Sequence, residues 1–540
     1  MPENNITSGY VRKTGIAWLV LGGIVFGLLV GFFHREDYTS SDAYYYYYGL
    51  IENVRTGAGA IQHPIIPPLL PWVQGMFMRL AGIHDPVCGA QWLHLGLLLP
   101  LNLLLLWRLL GRLARDKSRQ RTALQFSIAL VLLNPLVIWR SLTTGNELLY
   151  GVCLNAFLLC FMCYLDHRNK RSLIMLALSA ALCALIRSEG MIWPAVVSVS
   201  LLYFHRFSAR MFRRQALLWL VVLLVWLPRL AYMQTLTGYP VLDMRIANVL
   251  NFMGCHVHIA GSRTFASSMQ SLYPSQHSTL AATLERNVNS MPTLHQNLTW
   301  RAMYSLRGMA ITFGPLGLLY LLWSWPAVRR RVAENWKTHR LFGLHGLLLV
   351  QVVAVTISVW FEERYGSAIL VPLSLTGGIM LAEATNCLPQ RGKTIMHLLL
   401  AGIMTAWAVL VMWRIPTHRL EQAVVRALRD RATPGSVIMS QWPTIPYELK
   451  SKMCPIPDWQ HHRIKISSGQ LVAICREAGV DFIVWGEFPM WRQPWWQQDA
   501  AARAIIRDFS LPLNLPAGAD GQPIVVIDAR RMSGRQQEFH

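Results

Sequence analysis

Long apolar blocks separated by short polar segments run through the first three quarters of the chain. About 20 apolar residues are needed to cross a bilayer as a helix, which satisfies its own backbone hydrogen bonds there. The blocks therefore predict eleven transmembrane helices. They lie near residues 14–33, 90–111, 123–139, 147–165, 173–187, 189–204, 215–233, 305–325, 341–360, 365–385 and 394–414.

From residue 415 onward the pattern changes to helices that alternate with short apolar strands. Strands are predicted at 436–440, 480–486 and 523–530, and helices near 417–431, 468–478 and 498–508. This alternation indicates a small α/β unit. The predicted fold class is thus an α-helical polytopic membrane protein, with a transmembrane domain over 1–414 and an α/β domain over 415–540.

Composition supports the membrane assignment and removes one class of partner. Of the 540 residues, 53% are hydrophobic and only 14% are charged, which is too apolar for an ordinary soluble domain. The net charge of +22 could indicate nucleic-acid binding. However, the basic residues form short clusters between apolar blocks instead of one patch, so membrane lipids and not nucleic acid are the expected partners.

The basic clusters fall in every second connection between the predicted spans. Basic connections resist translocation and stay in the cytoplasm, which puts the N-terminus inside and, with an odd number of spans, residues 415–540 outside. We expect a multi-pass membrane protein with an extracytoplasmic C-terminal domain. Two long outer loops follow from this topology, at 34–89 and 234–304, and the first is expected to form two short interfacial helices. The basic connections are 112–121, 166–172, 205–214, 326–340 and 386–393.

The first outer loop contains the stretch SDAYYYYYGL, with Asp42 just beyond the first span. A carboxylate at the membrane surface can act as a general base, but the same Ser-Ser-Asp pattern equally fits a helix N-cap. Tyr45 and Tyr46, three and four residues later, share its helical face, although a tyrosine run is also typical of an interfacial belt. His63 before a proline fits either a turn or a site.

Further charges are predicted at the same outer side. Arg187 and Glu189 lie where two spans meet almost without a loop, and Glu362 and Arg364 lie in a similar turn. Charges at membrane depth usually face protein or a watery cavity. They could be interface ion pairs that end helices, or, in the case of the guanidinium groups, ligands for phosphate oxygens.

Three segments in this order resemble motifs of a known family. They are HPIIPPLLPW at 63–72, RSEG at 187–190 and ERYGSAILVP at 363–372. Together with the acid in a long first outer loop and an outside C-terminal domain, they resemble the GT-C fold glycosyltransferases, the membrane enzymes that take sugars from polyprenyl-phosphate donors. Aminoarabinose transferases acting on lipid A and protein O-mannosyltransferases are similar in plan.

The resemblance implies a role for each candidate residue. Asp42 would be the catalytic general base on the acceptor hydroxyl, with inversion at the anomeric carbon. The donor phosphate would be bound by Arg187, Arg364 and Tyr365. The substrate-binding set would be His63, Tyr45, Tyr46, Glu189 and Glu362.

One departure from the family bears on cofactors. Many relatives have a second acid directly after the first, and here that position is Ala43. The segment CHVH at 255–258 has no second ligand pair at a zinc-like spacing. We therefore expect no metal and favour a metal-independent reaction, with a divalent cation as the open alternative.

Two other functions stay open at this point. An O-antigen ligase or glycan polymerase also uses polyprenyl-linked sugars, but such enzymes concentrate their site in a late outer loop. A transporter or flippase of lipid-linked sugars would favour broken helices at mid-bilayer and internal repeats. The sugar is not determined by these residues, and the acceptor could be a lipid, a glycan or a protein.

Overall fold

The computed structural model describes most of the two predicted domains. It covers residues 3–33, 47–57, 67–205, 207–237, 308–314, 316–358, 363–414, 419–440, 444–455, 468–485, 500–513 and 524–532, with isolated positions such as Leu242. The chain divides into two compact units, one made of Met1–Tyr38, Leu50–Val257 and Leu294–Pro416, the other of Thr39–Gly49, His258–Thr293 and Thr417–His540.

The first unit is helical. Its helices are α1 (Glu3–Phe33), α2 (Tyr48–Thr56, in this unit from Leu50), α3 (Leu69–Ala81), α4 (Pro86–Leu93), α5 (Leu99–Leu113), α6 (Lys117–Leu132), α7 (Pro135–Leu142), α8 (Glu147–His167), α9 (Lys170–Ile186), α10 (Ile192–His205), α11 (Ala209–Thr237), α12 (Leu316–Leu321), α13 (Pro326–Asn335), α14 (Thr338–Ser358), α15 (Glu363–Cys387) and α16 (Gln390–Arg414). A π-helical turn at His94–Leu98 joins α4 to α5, and short 3₁₀ turns lie at Ser188–Met191 and Leu322–Ser324.

Six stretches of the described residues are long and apolar enough to cross a membrane. Each coincides with one of the predicted spans, so a multi-pass membrane protein is confirmed. The number eleven stays a prediction, because helices such as α9 and α10 are shorter than this test requires. The six stretches are Thr14–Gly31, Pro86–Leu113, Glu147–His167, Ala209–Thr235, Ala368–Cys387 and Gln390–Met412.

The predicted span at 123–139 is not one continuous helix. It consists of α6 and α7, which meet at a bend of 62°. Asn134 caps α7, since its side chain accepts a hydrogen bond from the backbone N–H of Leu136 at 3.0 Å. Pro135 at the first helical position lacks the N–H that would continue α6, and it disfavours helical geometry at the residue before it. The sequence prediction of a span near 123–139 did not include this bend, although the Asn-Pro dipeptide is a signal for one.

Helix α15 is the centre of the first unit. The most apolar part of α15, within Ala368–Cys387, is 100% buried. The helix packs along α6 and against α8. The contact with α6 requires a glycine, because a Cβ on Gly378 would lie 2.1 Å from the Ser127 hydroxyl and 2.7 Å from the Ala123 carbonyl oxygen. The absence of a side chain lets the two backbones approach closely.

The basic connections of the first unit meet at one end, here called the basic end. Ala114 and Trp336 form an antiparallel bridge between two of these connections. Buried Glu383 of α15 accepts hydrogen bonds from Arg119 at 2.7 Å and from the Trp336 indole at 3.0 Å. Several hydrogen bonds between distant parts of the chain therefore hold the basic end together. It comprises the loops at 114–116, 168–169, 207–208, 336–337 and 388–389, which lie within the predicted basic connections, and the helix ends on either side of them.

Two short helices, α2 and α3, lie in the predicted first outer loop. They pack through Gly75, where an added Cβ would meet the Ile51 carbonyl oxygen and Val54 Cβ, each at 2.7 Å. Helix α3 ends at Gly82 in the left-handed conformation, with φ 67°. Their position in the membrane interface stays a prediction.

The second unit contains a four-stranded sheet. Its strands are β1 (Val437–Ser440), β2 (Lys452–Pro455), β3 (Phe482–Trp485) and β4 (Val525–Asp528), in the order β2-β1-β3-β4. β1 is parallel to β2 and β3, whereas β4 is antiparallel to β3. The helices are α17 (Arg419–Leu428), α18 (Thr444–Glu448), α19 (Ser468–Glu477), α20 (Ala500–Phe509) and α21 (Ala529–Met532).

Both faces of this sheet are covered. Met439, Ile483 and Ile527 pack in one buried cluster that includes residues of α19. Their neighbours Ile438 and Phe482 pack in a second cluster with residues of α17. Alternate residues of a strand point to opposite faces, so apolar residues at successive positions indicate a sheet buried on both sides. Strands β1, β3 and β4 lie within the three predicted strand segments, whereas β2 was not predicted.

Candidate functional site

The predicted site residues divide into three groups. Arg187 and Glu189 are fully described. Arg364 and Tyr365 lie in the first turn of α15, but their side chains are outside the described set. The remaining predicted residues, Asp42, Tyr45, Tyr46, His63 and Glu362, lie outside the described residues altogether.

Arg187 and Glu189 form a two-point ion pair. Arg187 Nε donates to Glu189 Oε2 at 3.2 Å and Nη2 donates to Oε1 at 3.1 Å. The arginine has extended backbone directly after α9, and the glutamate lies in the 3₁₀ turn that follows. Because the helix breaks here, the two side chains can point toward each other although they are only two positions apart. Both side chains are buried.

Gly190, the last residue of the RSEG motif, brings this turn close to α9. A Cβ on Gly190 would lie 2.3 Å from the Cys183 carbonyl carbon and 2.6 Å from Ala184 N. No side chain fits at that distance. The glycine is therefore required by a close backbone approach, which in turn sets the position of the Arg187–Glu189 pair.

A second pair of charges joins the first. Asn146 Oδ1 accepts from Arg187 Nη1 at 3.0 Å, and Glu147 Oε1 lies 3.6 Å from the same nitrogen. Arg140 Nη1 lies 3.9 Å from Glu147 Oε2. Arg140, Asn146, Glu147, Arg187 and Glu189, here called the ionic cluster, are each between 2% and 6% exposed. The charged segments 140–147 and 187–189 thus converge.

The charges of the ionic cluster balance. Two arginines face two glutamates, and Arg187 uses all three of its nitrogens on Asn146 and Glu189. Because a buried charge is tolerated when it is paired and hydrogen-bonded, this arrangement fixes the C-terminal end of α9. These hydrogen bonds use three of the five N–H groups of the Arg187 guanidinium.

A hydrogen-bonded chain of uncharged groups lies beside the ionic cluster. The Trp193 indole donates to the Tyr150 hydroxyl at 3.1 Å, and that hydroxyl donates to Gln351 Oε1 at 2.9 Å. The Arg187 guanidinium carbon is 5.9 Å from the centre of the Tyr150 ring. Helices α8, α10 and α14 are thereby connected, and the sequence analysis did not single out any of these three uncharged residues.

An apolar pocket of about 600 Å³ opens between α2, α3, α9 and α11. Arg229 is the one charged residue among those that line it. Arg229 Nε donates to the Leu242 carbonyl oxygen at 3.1 Å, and its guanidinium carbon lies 5.6 Å from the centre of the Tyr232 ring. The apolar part of the lining includes Val54, Leu69, Trp72, Met76, Leu185 and Val225.

The pocket adjoins the ionic cluster along α9. Leu185 lines the pocket, and Arg187 follows it by two residues. Both therefore lie at the end of α9 opposite the basic end. Arg229 and Tyr232 were not predicted as site residues, although an arginine after a proline inside the apolar block 215–233 is a signal for them.

Metal ligands do not cluster in the described part of the chain. No group of three or more His, Cys, Asp or Glu side chains there could hold a metal ion. His256 and His258 lie outside the described residues.

The chain has the GT-C fold, as the sequence resemblance predicted, and two groups of solved structures that share this fold are the evidence for it. The chain is similar to ArnT from Cupriavidus metallidurans in the apo state, with 14% identity, a TM-score of 0.54, and coverage of 96% of this chain and 99% of that chain. At this identity the similarity concerns the fold alone.

A second group of solved structures shares the fold. The oligosaccharyltransferase AglB from Archaeoglobus fulgidus, in complex with an inhibitory peptide and a dolichol-phosphate, has 12% identity and a TM-score of 0.52. The alignment covers 87% of this chain and 69% of that chain. No family model matches the sequence, and no curated protein matches it either.

Proposed function

We propose that this protein is an integral membrane glycosyltransferase that moves a sugar from a polyprenyl-phosphate donor to an acceptor hydroxyl. The observation that carries the proposal is the similarity to ArnT over 96% of the chain. The AglB structure contains a dolichol-phosphate, a polyprenyl-type phosphate, and this supports a lipid-linked donor for the same fold. We assign the reaction to the outer side of a bacterial inner membrane, following the distribution of basic connections.

The apolar pocket supports this choice of donor. Its walls are aliphatic and aromatic side chains, with one guanidinium group from Arg229. A polyprenyl phosphate has the same division, with a long apolar chain and a single anionic end. Burial of prenyl carbons would contribute about 25 cal/mol per Å² of apolar surface removed from water. We therefore assign the first isoprene units to this pocket.

The donor phosphate is assigned to Arg229, together with the predicted ligands Arg364 and Tyr365. Arg187 has its nitrogens bound to Asn146 and Glu189, so we assign it a positioning role in place of the direct phosphate contact that the sequence favoured. Cations near the leaving group offset the negative charge that grows on the phosphate as its bond to the sugar breaks.

The proposed mechanism uses Asp42 as general base. The carboxylate takes the proton of the acceptor hydroxyl while the hydroxyl oxygen forms a bond to the anomeric carbon. The bond between that carbon and the phosphate oxygen breaks, and polyprenyl phosphate leaves from the opposite face, which inverts the configuration. Substrate contacts are assigned to His63, Tyr45, Tyr46, Glu189 and Glu362.

The test compares two aspartates of the same loop. Cells that express the parent, Asp42→Asn or Asp37→Asn are compared by mass spectrometry of their envelope glycolipids and glycans, with a strain that lacks the gene as baseline. We expect Asp42→Asn to lose the glycosylated product and Asp37→Asn to keep it, at equal amounts of folded protein. A product level in Asp42→Asn equal to that of the parent would remove Asp42 from the mechanism.

The comparison of strains, together with a liposome assay, tests the transport alternative. A glycosyltransferase produces a covalently modified acceptor, whose mass increases by that of the sugar. If purified protein in liposomes moved a lipid-linked sugar between leaflets and no strain produced a modified acceptor, transport would replace the proposed function.

A further inference from the structure

The arginines at the basic end differ in whether they have an acidic partner. Arg112 and Arg340 both bind Asp166, and Arg119 binds Glu383. A second set lies where α8 and α10 end and α11 begins. It consists of Arg168, Arg210 and Arg214, here called the arginine triad.

The arginine triad converges on one histidine. Arg214 hydrogen-bonds His205 and also donates to the Tyr164 hydroxyl at 2.9 Å and to the Arg168 carbonyl oxygen at 2.5 Å. His205 is the last residue of α10, beyond the predicted span. Burial and the positive charges of Arg214, Arg168 and Arg210 together lower the pKa of His205. Arg214 thus contacts the His205 ring directly, and the charges of Arg168 and Arg210 also favour the neutral form of the ring.

No carboxylate neutralises the triad among the described residues. Ion pairs at this end involve Asp116, Asp166 and Glu383, and none of them includes Arg168, Arg210 or Arg214. Asp166 is only two residues before Arg168, yet its oxygens bind Arg112 and Arg340. The triad thus carries an excess of three positive charges. The N-terminus of α11, capped by the Ser208 hydroxyl at 3.2 Å from Met211 N, adds a partial positive charge.

Exposed aromatic rings flank the triad. Tyr203 is 81% exposed and Phe207 is 87% exposed. The Arg168 guanidinium carbon lies 5.2 Å from the centre of the Phe204 ring. Aromatic side chains favour the boundary between lipid chains and headgroups. Binding of a soluble anion to the triad would not explain why these rings are exposed.

We propose that the arginine triad binds the phosphodiester headgroup of an anionic phospholipid in the inner leaflet. Guanidinium donors match phosphate oxygens in geometry and charge, and the adjacent rings would lie against the first carbons of the acyl chains. This site is separate from the proposed donor site, because it lies at the opposite end of the helices. It does not depend on the proposed enzymatic function.

The experiment measures binding of phosphatidylglycerol to the purified full-length protein by native mass spectrometry and by the shift in unfolding temperature. The variant Arg168→Gln/Arg210→Gln removes two charges of the triad and keeps Arg214, which contacts Tyr164. The control Arg329→Gln/Arg330→Gln removes two exposed charges from α13 at the same end. Phosphatidylcholine and inorganic phosphate are the comparison ligands.

We expect phosphatidylglycerol to bind the parent and the control equally and the triad variant about thirtyfold more weakly, since the variant lacks two basic residues and each contributes about 1 kcal/mol near an anionic surface. Equal weakening in the control and the triad variant would overturn the proposal, because it would show that binding depends on the overall positive charge of this end and not on a specific site. Unchanged binding in the triad variant, or equal stabilisation by inorganic phosphate, would overturn the proposal.

Discussion

The guanidinium group of Arg187 binds both carboxylate oxygens of Glu189, only two residues later, with both side chains buried. In an unbroken helix, residues two apart point in different directions and could not meet in this way. The pair therefore exists only because α9 stops at Ile186. Its neutrality depends on both members, which leads to the first prediction.

Glu189→Gln is expected to destabilise the protein by about 3 kcal/mol, because it leaves Arg187 as a buried charge with an incomplete set of partners. The unfolding temperature in detergent measures the effect. The double variant Arg187→Met/Glu189→Leu removes both charges and should be less destabilised than Glu189→Gln. The exposed pair Arg507–Asp508 serves as the control, and Asp508→Asn should leave the unfolding temperature unchanged.

Gly190→Ala is expected to displace the turn that holds the ionic cluster. The new methyl group would overlap the Cys183 carbonyl group, and relief of this overlap must move the backbone. We expect a loss of stability of about 2 kcal/mol and a reduced level of glycosylated product. Gly343→Ala in α14, where nothing lies within 4 Å of the added carbon, is the matched control. A Gly190→Ala protein as stable and active as the parent would show that the close approach is not required.

Filling the apolar pocket should reduce transfer without unfolding the protein. Val225→Trp adds a large ring to its wall and should lower the amount of glycosylated product at least tenfold, since the prenyl chain loses its place. Val199→Trp, on an exposed part of α10, is the control and should retain the product. Mass spectrometry of envelope glycolipids gives the product level, and the unfolding temperature checks the fold. Equal product in both variants would show that the pocket does not bind the donor.

Glu383→Gln should weaken the basic end. The glutamate is fully buried and accepts from Arg119, Trp336 and Asn335, and loss of its charge leaves the arginine unbalanced. We expect a destabilisation of about 2 kcal/mol, measured as a lower unfolding temperature. Glu334→Gln, exposed on α13, is the control for the general loss of one acid. The prediction fails if both variants unfold at the same temperature.

The sequence predicts the six apolar stretches that the structure confirms, because length and hydropathy alone decide whether a helix can cross a bilayer. It also indicates that Arg187 and Glu189 belong together, since charges at membrane depth need partners. The bend at Asn134 can be predicted only from a single dipeptide, Asn134-Pro135, inside an apolar block. Strand β2, with the sequence KMCP, is too short and too polar at its start to be recognised without its neighbour β1.

The pocket could be predicted least, because it is formed by helices far apart in the sequence. Arg229 belongs to α11, whereas Trp72 belongs to α3. The hydrophobic periodicity of a single helix does not reveal which distant helices pack against it. Likewise, the partner of Glu383 could not be chosen from the many arginines at the basic end, since only packing distinguishes Arg119 from the rest.

The central position of α15 has a consequence for the synthesis of the protein. The helices it packs against, α6 and α8, leave the ribosome more than two hundred residues earlier, as the separation of Arg119 from Glu383 by 264 positions illustrates. Until Cys387 has been translated, those helices lie in the bilayer with their contact surfaces for α15 unfilled. A chain that is stopped before residue 387 is therefore expected to be a substrate for membrane proteases, however well its first helices have inserted.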